Sequence, residues 1–255
     1  MGQVMSEEEA SKMRAAELRD ELLFKQPEGN HRGDCPICMI PLPFDPTKAT
    51  LNSCCSKTIC NGCNHANLIR EKEMRRISSC PFCRKPLAYT QEEHDKNVMK
   101  RIEANDPVAM RYRGAEQSIK GNHSGTLEYL TKAAALGDAE AHHFLSIMYH
   151  RGEGVKKNWR KEMHHAEEAA IAGHPLARHN LGVYEWNNMK NGERAVKHWT
   201  ISAALGHGDA IKKLLVAFKQ EFISKEDLAV AFRAYQAALA ATKSPQRKVA
   251  EPFCR

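Results

Sequence analysis

Residues 138–155 read DAEAHHFLSIMYHRGEGV, and a second version of this stretch, HPLARHNLGVYEWNN, begins at His174. In both, Ala141 and Ala177 stand four residues after a glycine, Gly137 and Gly173, and Ala210 stands four after Gly206. The glycines are 36 and 33 residues apart and the alanines 36 and 33, so one register is kept through the chain from about residue 97 onward. A fixed period of this length is the mark of a repeat array, in which each unit buries its apolar face only against its neighbours. Between the landmarks lie second segments, ending HHAEEAAIAG and AVKHWTISAALG, so each period predicts a pair of helices. Ala and Gly at matched positions allow close helix approach, and a glycine after each alanine pair suits the left-handed residue that ends a helix. Leu145, Leu181 and Leu214 in the first helices, with Leu130, Trp199 and Tyr235 in the second, are the expected core.

The pattern A-x-x-x-L-[GS]-x-x-Y-x-x-G-x-G-V over Ala141–Val155 resembles the Sel-1-like repeat, a relative of the tetratricopeptide repeat. The resemblance is strongest over 138–206 and extends over roughly 106–241. It implies an α-solenoid over 97–243 that acts as a protein-binding platform. Arg113 stands where the first unit would carry an aliphatic residue and Leu215 where the last would carry a small one, as terminal, capping units often differ.

The other half of the chain is governed by cysteine. Eight of nine cysteines fall between residues 35 and 83, and the ninth, Cys254, is read as a free thiol in the tail. Three pairs have C-x-x-C spacing, Cys35/Cys38, Cys60/Cys63 and Cys80/Cys83, with Cys54 and Cys55 adjacent between them. Two-residue spacing lets one turn present two thiolates to one ion, and eight thiols meet the needs of two closed tetrahedral zinc sites. Residues 35–85 hold few large apolar side chains, so two bound zinc ions are expected to supply most of the folding energy there. At the second site Cys54, His65, or water or another group can complete the ligand set; Lys57 is excluded because an ammonium has no lone pair to donate.

With CPIC at 35–38 and CPFCRKP at 80–86, this arrangement resembles a RING finger over 31–90, of the all-cysteine variety found in the ubiquitin ligase of the deadenylase complex. The resemblance implies interleaved ligation, Cys35, Cys38, Cys60 and Cys63 on one zinc and Cys54, Cys55, Cys80 and Cys83 on the other. It also implies a shallow groove for a ubiquitin-conjugating enzyme at Ile37 and Pro81, with Leu68 standing in for the usual groove residue because Asn67 occupies that place. Arg84 then matches the residue that bridges ubiquitin and the conjugating enzyme. The expected fold is thus mainly α, a zinc cross-brace followed by a solenoid. The expected function is that of a RING-type ubiquitin-protein ligase whose repeats recruit protein substrates; the alternative is a zinc-binding adaptor without ligase activity.

Composition narrows the remaining classes. A formal net charge of +7 invites a polyanion, yet the basic residues alternate with acidic ones in EKEMRR (71–76) and KKNWRKE (156–162), the pattern of a solvated face, so nucleic-acid binding is not expected. No run approaches the roughly eighteen apolar residues of a membrane span, and MSEEEASK lacks the basic-then-apolar order of a secretory leader, so the expected location is cytoplasmic or nuclear. MGQVMS matches the myristoylation pattern at Gly2, but Glu7, Glu8 and Glu9 follow and oppose an anionic membrane surface, and the modification is not expected. Within 1–30, residues 6–24 predict a helix capped by Ser6, with a thin stripe of Leu18, Leu22 and Leu23 that requires docking on the zinc region. His142–His143 and His164–His165 are read as packing or solvated histidines rather than a metal site. Ser244–Pro245 is read as a helix stop before a disordered segment, 244–255.

Overall fold

The computed structural model describes residues 6–253. Gly2 and Cys254, with the expectations attached to them, lie outside this range.

The first helix, α1 (Glu7–Phe24), starts as its sequence predicts: Ser6 Oγ accepts from the Glu9 N–H while the Glu9 carboxylate accepts from the Ser6 N–H. Its docking partner is different from the one expected. Only Leu23 of the three leucines is buried, and α1 lies on the helical repeats instead of the zinc region. The reason is charge as much as apolar area. Arg19 donates to Glu167 and Glu168 at 2.8 Å each, Asp20 pairs with Arg194, and the Phe24 ring sits 4.7 Å from that of His198.

The cysteine-rich region carries the molecule's one described sheet, a hairpin of β1 (Ala49–Asn52) and β2 (Lys57–Cys60) paired antiparallel with Asn52 opposite Lys57, followed by α2 (Asn61–Glu73). A linking helix, α3 (Gln91–Glu103), leads to four antiparallel pairs: α4 (Pro107–Ile119) with α5 (His123–Ala135), α6 (Ala139–Arg151) with α7 (Trp159–Ile171), α8 (Pro175–Asn187) with α9 (Gly192–Ala204), and α10 (Gly208–Lys219) with α11 (Lys225–Ala241). The matched small residues act as anticipated. A Cβ on Gly182 would stand 2.5 Å from Nε1 of Trp199, so only hydrogen at that position lets the indole lie flat in the core, 1% exposed. Gly137, Gly173 and Gly206 all have positive φ at the ends of the second helices, and Gly173 does a second job: its carbonyl accepts from the His31 N–H at 3.1 Å. Arg113 is accommodated by ion pairs with Glu116 at 2.8 Å and Asp95 at 3.5 Å, and Leu215 is exposed at the end of the stack.

Within the segment expected to be disordered, the described residues 244–253 take up regular structure. Ser244 caps a short helix, α12 (Pro245–Ala250), whose Arg247 N–H reaches the Ser244 Oγ at 3.2 Å, and α12 packs on α2. Among the described residues no helix is long and apolar enough to cross a membrane.

Candidate metal centre

Two tight turns build the outer halves of the centre, and they share one geometry. In the first, Cys35 N–H donates to the Ile40 carbonyl and Met39 N–H to the Cys35 carbonyl; in the second, Cys80 N–H donates to the Lys85 carbonyl and Arg84 N–H to the Cys80 carbonyl. The residue after each second cysteine, Met39 at φ 55° and Arg84 at φ 62°, is left-handed, which folds the backbone back so that both sulfurs of a C-x-x-C face the same point. The third pair straddles a helix start: Cys60 ends β2, caps α2, and its Sγ accepts from the Cys63 N–H at 3.5 Å. Cys54 and Cys55 occupy the hairpin turn between β1 and β2, where Cys55 N–H and Ser56 N–H both donate to the Asn52 carbonyl.

These elements gather the eight sulfurs into two groups, Cys35, Cys38, Cys60 and Cys63 in one and Cys54, Cys55, Cys80 and Cys83 in the other, each with its ligand atoms within 4.8 Å of one another. Cys38 and Cys60 are 3.8 Å apart, Cys55 and Cys80 3.8 Å, and Cys54 and Cys83 3.4 Å. A disulfide would require about 2.05 Å. Four sulfurs at about 2.3 Å from a single zinc ion lie roughly 3.8 Å from one another, so the donor set and its spacing fit zinc in both groups. Burial, and then the facing charge of Cys80, pushes the Cys55 thiol up to about 11, and burial drives Cys54 and Cys63 upward as well, whereas at Cys35 and Cys83 burial is outweighed by hydrogen bonds that lower them. Four thiolates held this close need a cation, and a coordinated thiol loses its proton outright.

The rival eighth ligand stands elsewhere: the His65 ring stacks on Phe253 at 4.6 Å and belongs to neither group. Lys57 lies on β2 with its ammonium 5.9 Å over the Phe82 ring. Of the four residues expected to meet a conjugating enzyme, Ile37 and Leu68 are 42% and 44% exposed, and Arg84 is exposed, whereas Pro81 is buried and presents no surface. Exposed Phe82 stands beside it. Asn67 bridges two elements: its amide donates to the Ser79 carbonyl at 2.9 Å, and its carbonyl oxygen accepts from Arg84 at 3.2 Å.

Two histidine groupings complete the inventory. His142 and His165 share a hydrogen bond between their Nδ1 atoms at 3.0 Å, and His142 Nε2 donates to the Ala134 carbonyl, which accounts for both rings as packing groups. A trio that no sequence pattern announced, His31, Glu140 and His174, joins the cysteine-rich region to the repeats. His31 Nε2 donates to Glu140 at 2.8 Å, and His174 faces the same oxygen at 3.8 Å. His174 Nδ1 accepts from the Ala177 N–H, which puts the ring proton on Nε2, facing the carboxylate, and makes the trio a polar latch. Burial opposes the Glu140 charge, but the facing His174 and His31 rings hold it well below the usual carboxylate range.

No protein-family model matches the chain. Its fold is similar to that of a Sel1 repeat protein from Oxalobacter formigenes, with a TM-score of 0.52 at 18% identity over 67% of this chain and 51% of that one. A protective antigen present in uropathogenic Escherichia coli strains, c5321, which displays an SLR fold, matches with a TM-score of 0.48 at 20% identity over 66% of this chain and 37% of that one. This chain therefore spans about half the length of the Oxalobacter protein, and the likeness shows that the helical part shares the fold of a Sel1 repeat protein.

Proposed function

We propose that the protein is a RING-type ubiquitin ligase in which the cysteine-rich region holds two zinc ions and a ubiquitin-conjugating enzyme, while the Sel1-like repeats recruit a protein substrate. The observation that carries this reading is the order in which the sulfurs are shared. The first and third pairs form one group and the second and fourth the other, the interleaving of a cross-brace. When bound, zinc offsets part of the thiolate charge and fixes the turns, and both groups are closed sets of four with no position left for a substrate. Around them the exposed apolar side chains Ile37, Leu68 and Phe82 are available to a partner protein. Arg84, held by Asn67, presents a planar fork beside them.

In this scheme no residue of the chain attacks the thioester. Rate enhancement comes from holding a charged conjugating enzyme in one orientation near a recruited lysine. Ile37→Ala and Arg84→Ala separate the two contributions, because neither residue belongs to a cysteine group. Ile37→Ala removes groove contact worth on the order of 1 to 2 kcal/mol, so binding of the conjugating enzyme should weaken roughly tenfold. Arg84→Ala should leave that binding nearly unchanged and slow ubiquitin discharge from the bound, charged complex. Both variants matching the wild type in binding and discharge, with two zinc ions retained, would favour a non-catalytic zinc-binding scaffold.

A further inference from the structure

The C-terminal helix ends on the first cysteine group. Its Arg247 guanidinium donates to four acceptors at once: the Pro41 and Thr242 carbonyls at 2.7 Å each, the Ile40 carbonyl at 2.9 Å, and Cys38 Sγ at 3.6 Å. Three of these lie on the first knuckle, more than two hundred residues away in sequence. At the third cysteine pair of the same group α12 approaches so closely that a Cβ on Gly62, between Cys60 and Cys63, would stand 2.9 Å from the Arg247 backbone nitrogen. Gln246 Oε1 is 4.0 Å from Cys63 Sγ, and Phe253 closes the row by stacking on His65. In the second group the sulfur contacts among the described residues run from Cys55 to Cys80 and from Cys54 to Cys83, within the group itself.

We propose that residues 244–253 form a clasp coupled to metal occupancy of the Cys35, Cys38, Cys60 and Cys63 group, with Arg247 as the residue that couples them. The proposal rests on the reading that this group holds zinc. Four thiolates outweigh the charge of one divalent cation, and the surplus negative charge is what a guanidinium beside Cys38 answers. The same side chain ties the knuckle carbonyls in place, so the sulfurs are held at ligand spacing before the metal arrives. Outer contacts of this kind typically change metal affinity by about 10- to 100-fold. Coupling is reciprocal, so metal at the first group favours the closed clasp by the same factor that the closed clasp favours metal. The C-terminal helix α12 thereby reports on the state of the zinc module.

The test uses the full chain loaded with zinc, its content measured by native mass spectrometry, and follows release to a chromogenic chelator. Wild-type protein should hold two ions and release them in two phases. Arg247→Ala should speed one phase by about tenfold or more and leave the other unchanged. Arg247→Lys should behave like the alanine variant, because an ammonium cannot span two carbonyls and a sulfur. Phe253→Ala, which loses the ring stack and keeps the guanidinium, should release zinc at close to the wild-type rate. Hydrogen exchange supplies the reciprocal readout: amides of 246–250 should lose protection in Cys35→Ser and keep it in Cys83→Ser. Equal acceleration of both phases in Arg247→Ala, or none, overturns the coupling while leaving the two-zinc reading intact. A wild-type chain that holds no zinc overturns both.

Discussion

Cys54 and Lys57 show how a single position decides a site. Counting along the chain places Lys57 where a ligand is expected, and the hairpin explains the shift: the turn at 53–56 delivers adjacent Cys54 and Cys55 to one group while Lys57 enters β2 and faces Phe82. Cys54→Ser should therefore lower zinc content from two ions per chain toward one, and His65→Ala should keep both; the opposite result from metal analysis would move the ligand to His65. The choice between them was open in the sequence because both residues lie within reach of the other three cysteines, and only turn geometry separates them. Asn67 carries a similar lesson. From the sequence it is a departure from a groove, and in three dimensions it fastens α2 to the Ser79 carbonyl and orients Arg84. At the residue scale within the repeats, Gly182→Ala forces a methyl against the Trp199 indole and should cost on the order of 1 to 3 kcal/mol, read as a lower urea midpoint with native helicity retained.

At the scale of elements, what repeats is legible and what is used once is not. The helix pairs are readable because each obeys the same spacing of Ala, Gly and Leu, and every unit constrains the next. α12 is six residues long and owes its place to hydrogen bonds from Arg247 to carbonyls near residue 40, contacts that no local pattern encodes. The docking of α1 escaped for the same reason, since its ion pairs reach Glu167, Glu168 and Arg194 across the fold. The helices also share a buried set of histidines with a measurable consequence. Burial lowers His143 and His198 to about 3 and His179 and His165 to about 4, against an ordinary value near 6.5. The unfolded chain then takes up protons first as pH falls below that ordinary value, so stability is full above it and declines toward the folded values. Each histidine contributes a slope of about 1.4 kcal/mol per pH unit in that window. Urea unfolding followed by circular dichroism should show a clearly lower midpoint at pH 5.5 than at pH 7.5, with a smaller difference in His143→Gln. An unchanged midpoint would mean that these rings are charged in the folded state.

Across the whole molecule the cysteine-rich region is embraced by the solenoid. The His31 N–H and ring reach Gly173 and Glu140, the Phe44 ring lies 5.3 Å from that of His207, and α12 returns from the far end to α2. The helices nevertheless carry their own lattice of Leu130, Leu145, Leu214 and Trp199, all buried, while the cysteine region has a core made largely of its sulfurs with Leu42 and Ile59. Chelation should consequently unfold residues near 33–88 and leave most of the helical circular dichroism in place, and loss of nearly all helicity would show that the repeats depend on the metal. What the assembled molecule does to a partner decides its function. Its most direct measurement is single-turnover discharge of ubiquitin from a broad panel of charged conjugating enzymes, with zinc-loaded wild-type protein added. Discharge onto free lysine should accelerate well above the uncatalysed rate for at least one member of the panel and return to that rate when zinc is removed; no acceleration with any member would contradict the account and leave a zinc-stapled repeat scaffold.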